Sequence, residues 1–465
     1  MKVEKLKTPN TFLIIFSLII VVAISTWFIP AGEFDKHIVN NKEVIDGNSY
    51  HKVNNNPQGI AEILMAPIKG IERAAAIIGF VLIVGGTFSV FQKTEAVTEG
   101  ILSIVNAHKK HKLIRISLIP ILMILFSLGG AIFGMSEEVI PFILIFVPMA
   151  LMLGYDSITG VAIPFIGAGA GFAGAFLNPF TVGIAQGIAG LPLFSGILYR
   201  ILVWFIVTGT AIFFVVRYAE KIKKEPSLSP TYKSDKIKRE KLKSNSVQQF
   251  NQLDTKHKAV LIIFSLGMLL LVVGVLQFGW YIEEICALFL GMGIVIAIAG
   301  KLSIDETTDA FVNGAKDLVA TALVIGLARG ILVIAEDGKI IGTMLYALSS
   351  PMKDLHSVIS AQFMFIAQTA INFFVPSGSG QAALTIPIMA PLSDLIGVSR
   401  QTAVLAFQMG DGFTNLIIPT SAVTMGILTL ADIPWTKWAR WIIPLQLILF
   451  VLGLLLLIPP FFIGW

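Results

Sequence analysis

Residues 126–142 read Phe126-Ser-Leu-Gly-Gly-Ala-Ile-Phe-Gly-Met-Ser-Glu-Glu-Val-Ile-Pro-Phe142. A pair of carboxylates and three glycines lie inside a stretch that continues apolar in both directions. From residue 117 to residue 199 only Glu137, Glu138 and Asp156 carry charge. One membrane crossing takes about 20 residues, so this stretch is too long to be a single span. Gly129-Gly130, Gly134, Gly167-Ala-Gly-Ala-Gly171 and Asn178-Pro179 interrupt it. A break in a membrane helix frees backbone groups that need partners inside protein or around an enclosed cavity. The pattern predicts a re-entrant helical hairpin over 116–152 with its tip at 134–138, then a broken helix over 159–189.

The same grammar returns later. Residues 360–391 predict a second hairpin with its tip at Pro376-Ser-Gly-Ser-Gly-Gln381, and 401–430 a second broken helix, interrupted at Gly410-Asp-Gly412. Gly70 and Gly86 match Gly314 and Gly330 at a spacing of 244. Pro148, Gly154, Thr159, Gly167 and Gly169 match Pro391, Gly397, Thr402, Gly410 and Gly412 at 243, and Pro192 matches Pro434 at 242. A nearly constant offset predicts duplication. Positive charge falls on opposite ends of the two copies: residues 93–115 are basic where 336–356 are mixed, and 189–195 are uncharged where Lys437 and Arg440 stand. Under the positive-inside rule the copies are inverted.

The rest of the chain fits around these elements. Of 465 residues, 55% are hydrophobic and 14% charged, against about 25% charged in soluble domains. Mean hydropathy is +0.82. Further spans are expected at 11–29, 74–91, 198–216, 259–277, 287–299 with flanks, 318–335 and 442–457. Residues 60–73 and 305–317 read as amphipathic lead-ins, and 30–58 as a polar loop. Residues 220–258 hold 11 Lys/Arg against 5 Asp/Glu, the mark of a cytoplasmic loop rather than a nucleic-acid arm. The expected fold class is an all-α polytopic membrane protein of two inverted-topology repeats. The divisions are an N-terminal repeat with its first helix over 1–217, a basic cytoplasmic loop over 218–258, a linking helix over 259–280 and a C-terminal repeat over 281–465. The N-terminus is expected inside, in the cytoplasmic (inner) membrane.

Inverted repeats with discontinuous helices point to a secondary transporter whose site lies near midplane. No phosphate-binding Gly-x-x-x-x-Gly-Lys-Ser/Thr loop is found. No His lies in a predicted span, so an enzyme is not expected. The lone Cys286 and the scattered histidines fit no metal spacing. A small-molecule substrate and the lipid bilayer are the expected partners, without nucleic acid and without a cofactor. The coupling ion, sodium or a proton, stays open. Carboxylates in hydrocarbon suggest function by default, which selects Glu137 and Glu138 beside Ser136, although Ser136 is also placed to cap a helix beginning at Glu137. Asp411, Thr414 and Asn415 offer oxygens for a cation. Ser377, Gly378, Ser379 and Gln381 offer hydroxyls, backbone N–H groups and an amide for a carboxylate. Asn178, Thr181 and Gln186 form a first-half polar cluster, paired loosely with Thr420 and Ser421. Asp156, Asp394, Arg400 and Asp432 read as solvated helix-end residues, and Trp435, Trp438 and Trp441 as an interfacial belt.

Ile29-Pro-Ala-Gly-Glu-Phe34, Ser136-Glu-Glu138, Pro376-Ser-Gly-Ser-Gly-Gln381 and Gly410-Asp-Gly-Phe-Thr-Asn415 together resemble the anaerobic four-carbon dicarboxylate carrier family, in its YfcC-like branch of basic amino acid antiporters. The resemblance implies the ion transporter superfamily, with a scaffold domain, a moving domain with two opposed hairpins, elevator-type alternating access and a homodimer. The wider superfamily often carries Ser-Asn-Thr at hairpin tips, where sodium and carboxylate bind. Here the tips are Ser136-Glu137-Glu138 and Ser377-Gly378-Ser379. Two carboxylates and Asp411 would repel a dianion and suit an ammonium or guanidinium group. The expected function is an antiporter or ion-coupled symporter of a small charged amino acid such as arginine or ornithine. The alternative is a carrier of four-carbon dicarboxylates or other small carboxylates.

Overall fold

The computed structural model describes residues 11–39, 42–45, 49–245, 254–351 and 355–465. Seven helices among them are long and apolar enough to cross a membrane: Ala75–Lys93, Leu113–Phe133, Ile197–Lys224, Thr255–Val275, Ile282–Ala299, Val319–Asp337 and Trp435–Ile463. The expected spans fall on these, and Thr11–Phe28 forms the first helix. The loop after it is not wholly irregular. Gly32–Glu33 pairs antiparallel with His51–Lys52, and Lys36–Val39 with Lys42–Ile45. Ile38, Val39, Val44 and Ile45 are β-branched and favour extended backbone, so two short ribbons interrupt an otherwise helical fold.

Helix boundaries recur at the spacing seen in the sequence. Ile60–Arg73 and Ala75–Lys93 are matched 244 residues later by Ile304–Asp317 and Val319–Asp337. Ser157–Ala173 begins 243 residues before Arg400–Thr414. Left-handed backbone recurs likewise, at Glu95 and Lys339 and at Gly154 and Gly397. The halves interlock through matched glycines. A methyl group on Gly70 would overlap the backbone of Gly326 and Gly330, and one on Gly314 would lie 2.6 Å from the Gly85 carbonyl and 3.1 Å from Gly86 Cα. A methyl on Gly169 would strike Leu416, and one on Gly412 would lie 2.5 Å from Ala173 Cα.

The first hairpin consists of Lys112–Phe133, a left-handed Gly134, the tighter 3-10 turn Glu137–Phe142 and Ile143–Met152. Pro141 lacks an N–H, which suits the short 3-10 entry. The second consists of Ser357–Asn372 and Gly378–Leu395. Both arms of each hairpin pack on the helix that follows, Ser157–Ala173 or Arg400–Thr414.

The breaks lie between helical segments. The first falls between Ser157–Ala173 and Pro179–Gly183, which runs into Ile184–Ile188. Its Phe176 and Leu177 N–H groups donate to the Ala131 carbonyl at 3.3 and 3.1 Å. The second break is not at Gly410-Asp411-Gly412. Arg400–Thr414 runs helical through those residues, and the break spans 415–421, before Ala422–Leu430. Each glycine costs a helix about 1 kcal/mol, but here both allow close backbone contact. Gly412 lies against Ala173, and a methyl added to Gly410 would lie 3.0 Å from Thr369 N. Close packing offsets the propensity cost.

The tryptophans do not form a lipid-facing belt. Trp438 is fully buried and Trp441 nearly so. The Trp438 indole donates to the Leu416 carbonyl at 2.8 Å and the Trp435 indole to the Ile417 carbonyl at 2.7 Å. They satisfy carbonyls that the second break leaves exposed. Asp156 is likewise buried, not solvated. It caps Ser157–Ala173 through Thr159 N at 2.8 Å and accepts from Tyr218 Oη at 2.5 Å and Ser229 Oγ at 2.7 Å. Asp394 and Arg400 pair at 2.6 Å near the surface, and Asp432 is exposed.

The basic segment is more than a loop. It contains Pro226–Leu228 and the helix Tyr232–Asn245. Buried Asp235 accepts from Ser157 N at 3.0 Å, Lys238 donates to the Ala431 carbonyl at 2.6 Å, and Arg239 to the Tyr155 carbonyl at 2.6 Å. This strap buckles the start of the first broken helix to the end of the second. The loop's residues 246–253 lie outside the described residues.

Candidate functional site

Four interruptions meet around one cavity of about 270 Å³, near the lower end of the 300–1,000 Å³ common for small-molecule pockets. The first hairpin tip contributes Ser136, Glu137 and Glu138, and the first break contributes Thr181. The second tip contributes Ser377, Gly378 and Ser379, and the second break Asn415, Thr420 and Ser421. These ten of the fourteen sequence-predicted residues therefore line it.

The other four stand behind the lining. Asn178 accepts from Phe180 N at 2.9 Å and Thr181 N at 3.2 Å, capping the helix after the break, and the first tip rests on it at Gly134. Ser421, 243 residues on, accepts from Thr424 N at 3.4 Å in the same role. Gln381 is held by Gln368, its Nε2 donating to Oε1 at 2.7 Å. Thr414 accepts from Asn372 Nδ2 at 2.8 Å. Asp411 is fully buried and accepts from Asn415 Nδ2 at 2.8 Å through Oδ1. Its Oδ2 has no hydrogen-bond partner, and a methyl group on Gly378 would lie 3.1 Å from that atom. Asp411 thus supports the second tip from beneath.

The two tips present different chemistry. Ser136 makes no side-chain cap; the Glu138 carboxylate instead accepts from Ser136 N at 2.9 Å. At the second tip Ser377 caps the 18-residue helix Gly378–Leu395 by accepting from Gly380 N at 3.3 Å. The helix start directs its partial positive charge and remaining N–H groups at the cavity.

Arg329, on Val319–Asp337, is absent from the sequence-predicted set, and it is the only cation on the lining among the described residues. Its Nε is buried without a hydrogen-bond partner. It lies within electrostatic range of Glu137 but forms no ion pair with it. The sequence does carry a signal for it: a lone arginine in the apolar run Leu323-Val-Ile-Gly-Leu-Ala-Arg329-Gly-Ile-Leu-Val333 marks a site by the same reasoning as a lone carboxylate. Tyr281, which starts Ile282–Ala299, also lines the cavity and packs on Phe180 with ring centroids 5.0 Å apart.

A polar cavity walled by interrupted apolar helices is the architecture of a membrane transporter. The chain belongs to the C4-dicarboxylate anaerobic carrier family, whose pattern it matches over residues 8–461. It is 36% identical to the Escherichia coli protein described as "Putative basic amino acid antiporter YfcC", over 98% of this chain and 97% of that one. It is 28% identical to an uncharacterized protein of Haemophilus influenzae, over 97% and 96% of the two chains. Among solved structures, the Alcanivorax borkumensis YdaH transporter aligns over 98% of this chain and 99% of its own, with a TM-score of 0.45 and 15% identity.

Proposed function

We propose that this transporter moves a small amino acid with a cationic side chain, of the arginine or ornithine type, across the cytoplasmic membrane by antiport or ion-coupled symport. The observation that carries this reading is the split polarity of the cavity: Glu137 and Glu138 on one tip, Arg329 and the N-terminal turn of Gly378–Leu395 elsewhere on the lining. A dibasic amino acid has two cations and one carboxylate. The acid pair takes the cations, and Arg329 with the Gly378 and Ser379 N–H groups takes the carboxylate. The description of the E. coli relative agrees with this.

Alternating access of the elevator type, between two inverted repeats of a homodimeric carrier, accompanies the proposal. Interchanged contacts support a two-fold relation between the halves. Gly70 touches Gly330 while Gly314 touches Gly86, and Gly169 touches Leu416 while Gly412 touches Ala173. If residue i maps to i′, a two-fold axis requires that contacts i–j′ and j–i′ occur together. For coupling, the unpartnered buried oxygens Asp411 Oδ2, Asn415 Oδ1 and Thr181 Oγ1 are where a sodium ion or proton would be held.

The family's description and the presence of Arg329 favour a second reading, a four-carbon dicarboxylate whose far carboxylate meets a protonated Glu137/Glu138 pair. A substrate panel in proteoliposomes, with and without sodium and pH gradients, separates the two. Accumulation of arginine or ornithine supports the first reading, and accumulation of succinate alone replaces it with the second.

A further inference from the structure

A second groove shares no lining residue with the transport cavity and lies beside the Lys-rich strap. It encloses about 410 Å³ between the last turns of Ile197–Lys224, Leu228 and Pro230 of the strap, and the first turns of Trp435–Leu456. Arg217, Lys221, Lys437 and Arg440 line it, and no carboxylate does. None of these four cations has a hydrogen-bond or ion-pair partner among the described residues. The neighbouring Lys238 and Arg239 differ, since both are spent on backbone carbonyls of Ala431 and Tyr155. The floor of the groove is aromatic. Trp441 is 8% exposed, and its indole N–H is buried with no acceptor.

The groove continues into an apolar track. Arg440, Pro444, Leu447 and Val451 follow one another at helical spacing on one face, and Leu447 and Val451 are more than half exposed, at 62% and 53%. The eleven helical steps from Arg440 to Val451 rise about 16 Å, close to the thickness of one leaflet, about half of the roughly 30 Å hydrocarbon core. Phe213, 66% exposed, extends the same apolar surface on the facing helix.

We propose that this groove binds the headgroup of an anionic phospholipid of the cytoplasmic leaflet. The four cations and the Trp441 N–H hold the phosphate, and an acyl chain lies along Leu447 and Val451. Charge complementarity selects an anion, and the contiguous apolar track selects a lipid over a free phosphate. Basic pockets between membrane helices on the cytoplasmic side are established headgroup sites. Through Tyr218, which donates to Asp156 at 2.5 Å and packs on Trp441 with ring centroids 5.0 Å apart, a bound lipid would also stiffen the joint where the strap meets the first broken helix.

The test uses the purified full chain in detergent, titrated with phosphatidylglycerol, phosphatidylcholine or inorganic phosphate, with bound lipid counted by native mass spectrometry and thermal unfolding followed in parallel. Phosphatidylglycerol binds and raises the unfolding temperature, while phosphatidylcholine and phosphate do neither. Each of R217Q, K221Q, K437Q and R440Q weakens the binding by about fivefold, the effect of roughly 1 kcal/mol per cation. The charge-preserving R217K/K437R/R440K retains binding, and K233Q/K236Q on the exposed side of the strap leaves it unchanged. Equal binding by the neutral variants overturns the proposal. So does stabilisation by phosphate alone, which would make this a free-anion site, or equal stabilisation by phosphatidylcholine. None of these outcomes bears on which substrate is carried.

Discussion

The two hairpin tips lie 243 residues apart in the sequence, yet they present opposite chemistries. Ser136, Glu137 and Glu138 stand where Ser379, Gly380 and Gln381 stand in the other half. The first tip supplies charge from side chains. The second has no charged side chain and presents the start of an 18-residue helix, with Gly378 pressed against Thr181 and Asp411. The asymmetric tips make a cavity with carboxylates on one tip and backbone donors on the other, and Arg329 also stands on the lining, within electrostatic range of Glu137. On the proposed reading, such a cavity would distinguish the two ends of a zwitterion, which two identical tips would not do.

Neutralising the acidic tip should break the comparison most severely. With E137Q/E138Q the cationic substrate loses its counter-charges, at a cost of about 3–5 kcal/mol for an uncompensated buried charge. Arginine uptake should fall by roughly 10²–10⁴-fold while the protein still elutes as a single species. The donor side comes next. R329Q removes charge-assisted hydrogen bonds worth about 1.5–3 kcal/mol, so arginine affinity should drop about 10–100-fold. In that variant the preference for arginine over its decarboxylated analogue should narrow, because only the Gly378 and Ser379 N–H groups remain for the carboxylate, and a competition assay reads this directly.

A smaller effect is expected from G378A. The added methyl would lie 2.5 Å from Thr181 Cγ2 and 3.1 Å from Asp411 Oδ2. Overpacking of this kind costs about 1–3 kcal/mol, and uptake should fall about tenfold. In G380A the added methyl would lie 3.1 Å from Ser377 Oγ and 4.0 Å from Val375 Cγ1, and it should cost less. The smallest functional effect should come from W438F. It leaves the Leu416 carbonyl without its indole donor at the second break, a loss of about 1–3 kcal/mol. The unfolding temperature should fall, with KM for the substrate unchanged.

How far the sequence reaches differs between these regions for physical reasons. Hairpin tips and breaks are legible because glycine, proline and polar residues have no other business inside long apolar runs. The second break lies later than the sequence suggests because Gly410-Asp-Gly412 looks helix-breaking on propensity alone. Only the tertiary contacts with Ala173 and Thr369 show those glycines serving close packing within a continuous helix. The tryptophans mislead for a related reason. Aromatic residues near a helix start read as interfacial, but the indole donors of Trp435 and Trp438 are consumed by carbonyls 18 and 22 residues earlier in the chain, and Trp441 is buried beside them. Asp156 reads as a solvated helix-end residue because its partners Tyr218 and Ser229 come from a helix end and linker whose docking no local pattern announces. Arg329 is the opposite case, a site residue legible in principle. The rule that singles out carboxylates in an apolar run applies equally to a cation in such a setting.

If the acidic tip selects a cationic amino acid, exchange of that substrate depends on Glu137 and Glu138. Counterflow in proteoliposomes preloaded with unlabelled substrate tests it most directly, comparing wild type with E137Q/E138Q for labelled arginine and labelled succinate. The account predicts arginine exchange by the wild type, its loss in the double variant, and little succinate exchange in either. Robust succinate exchange by the wild type with none of arginine would contradict it.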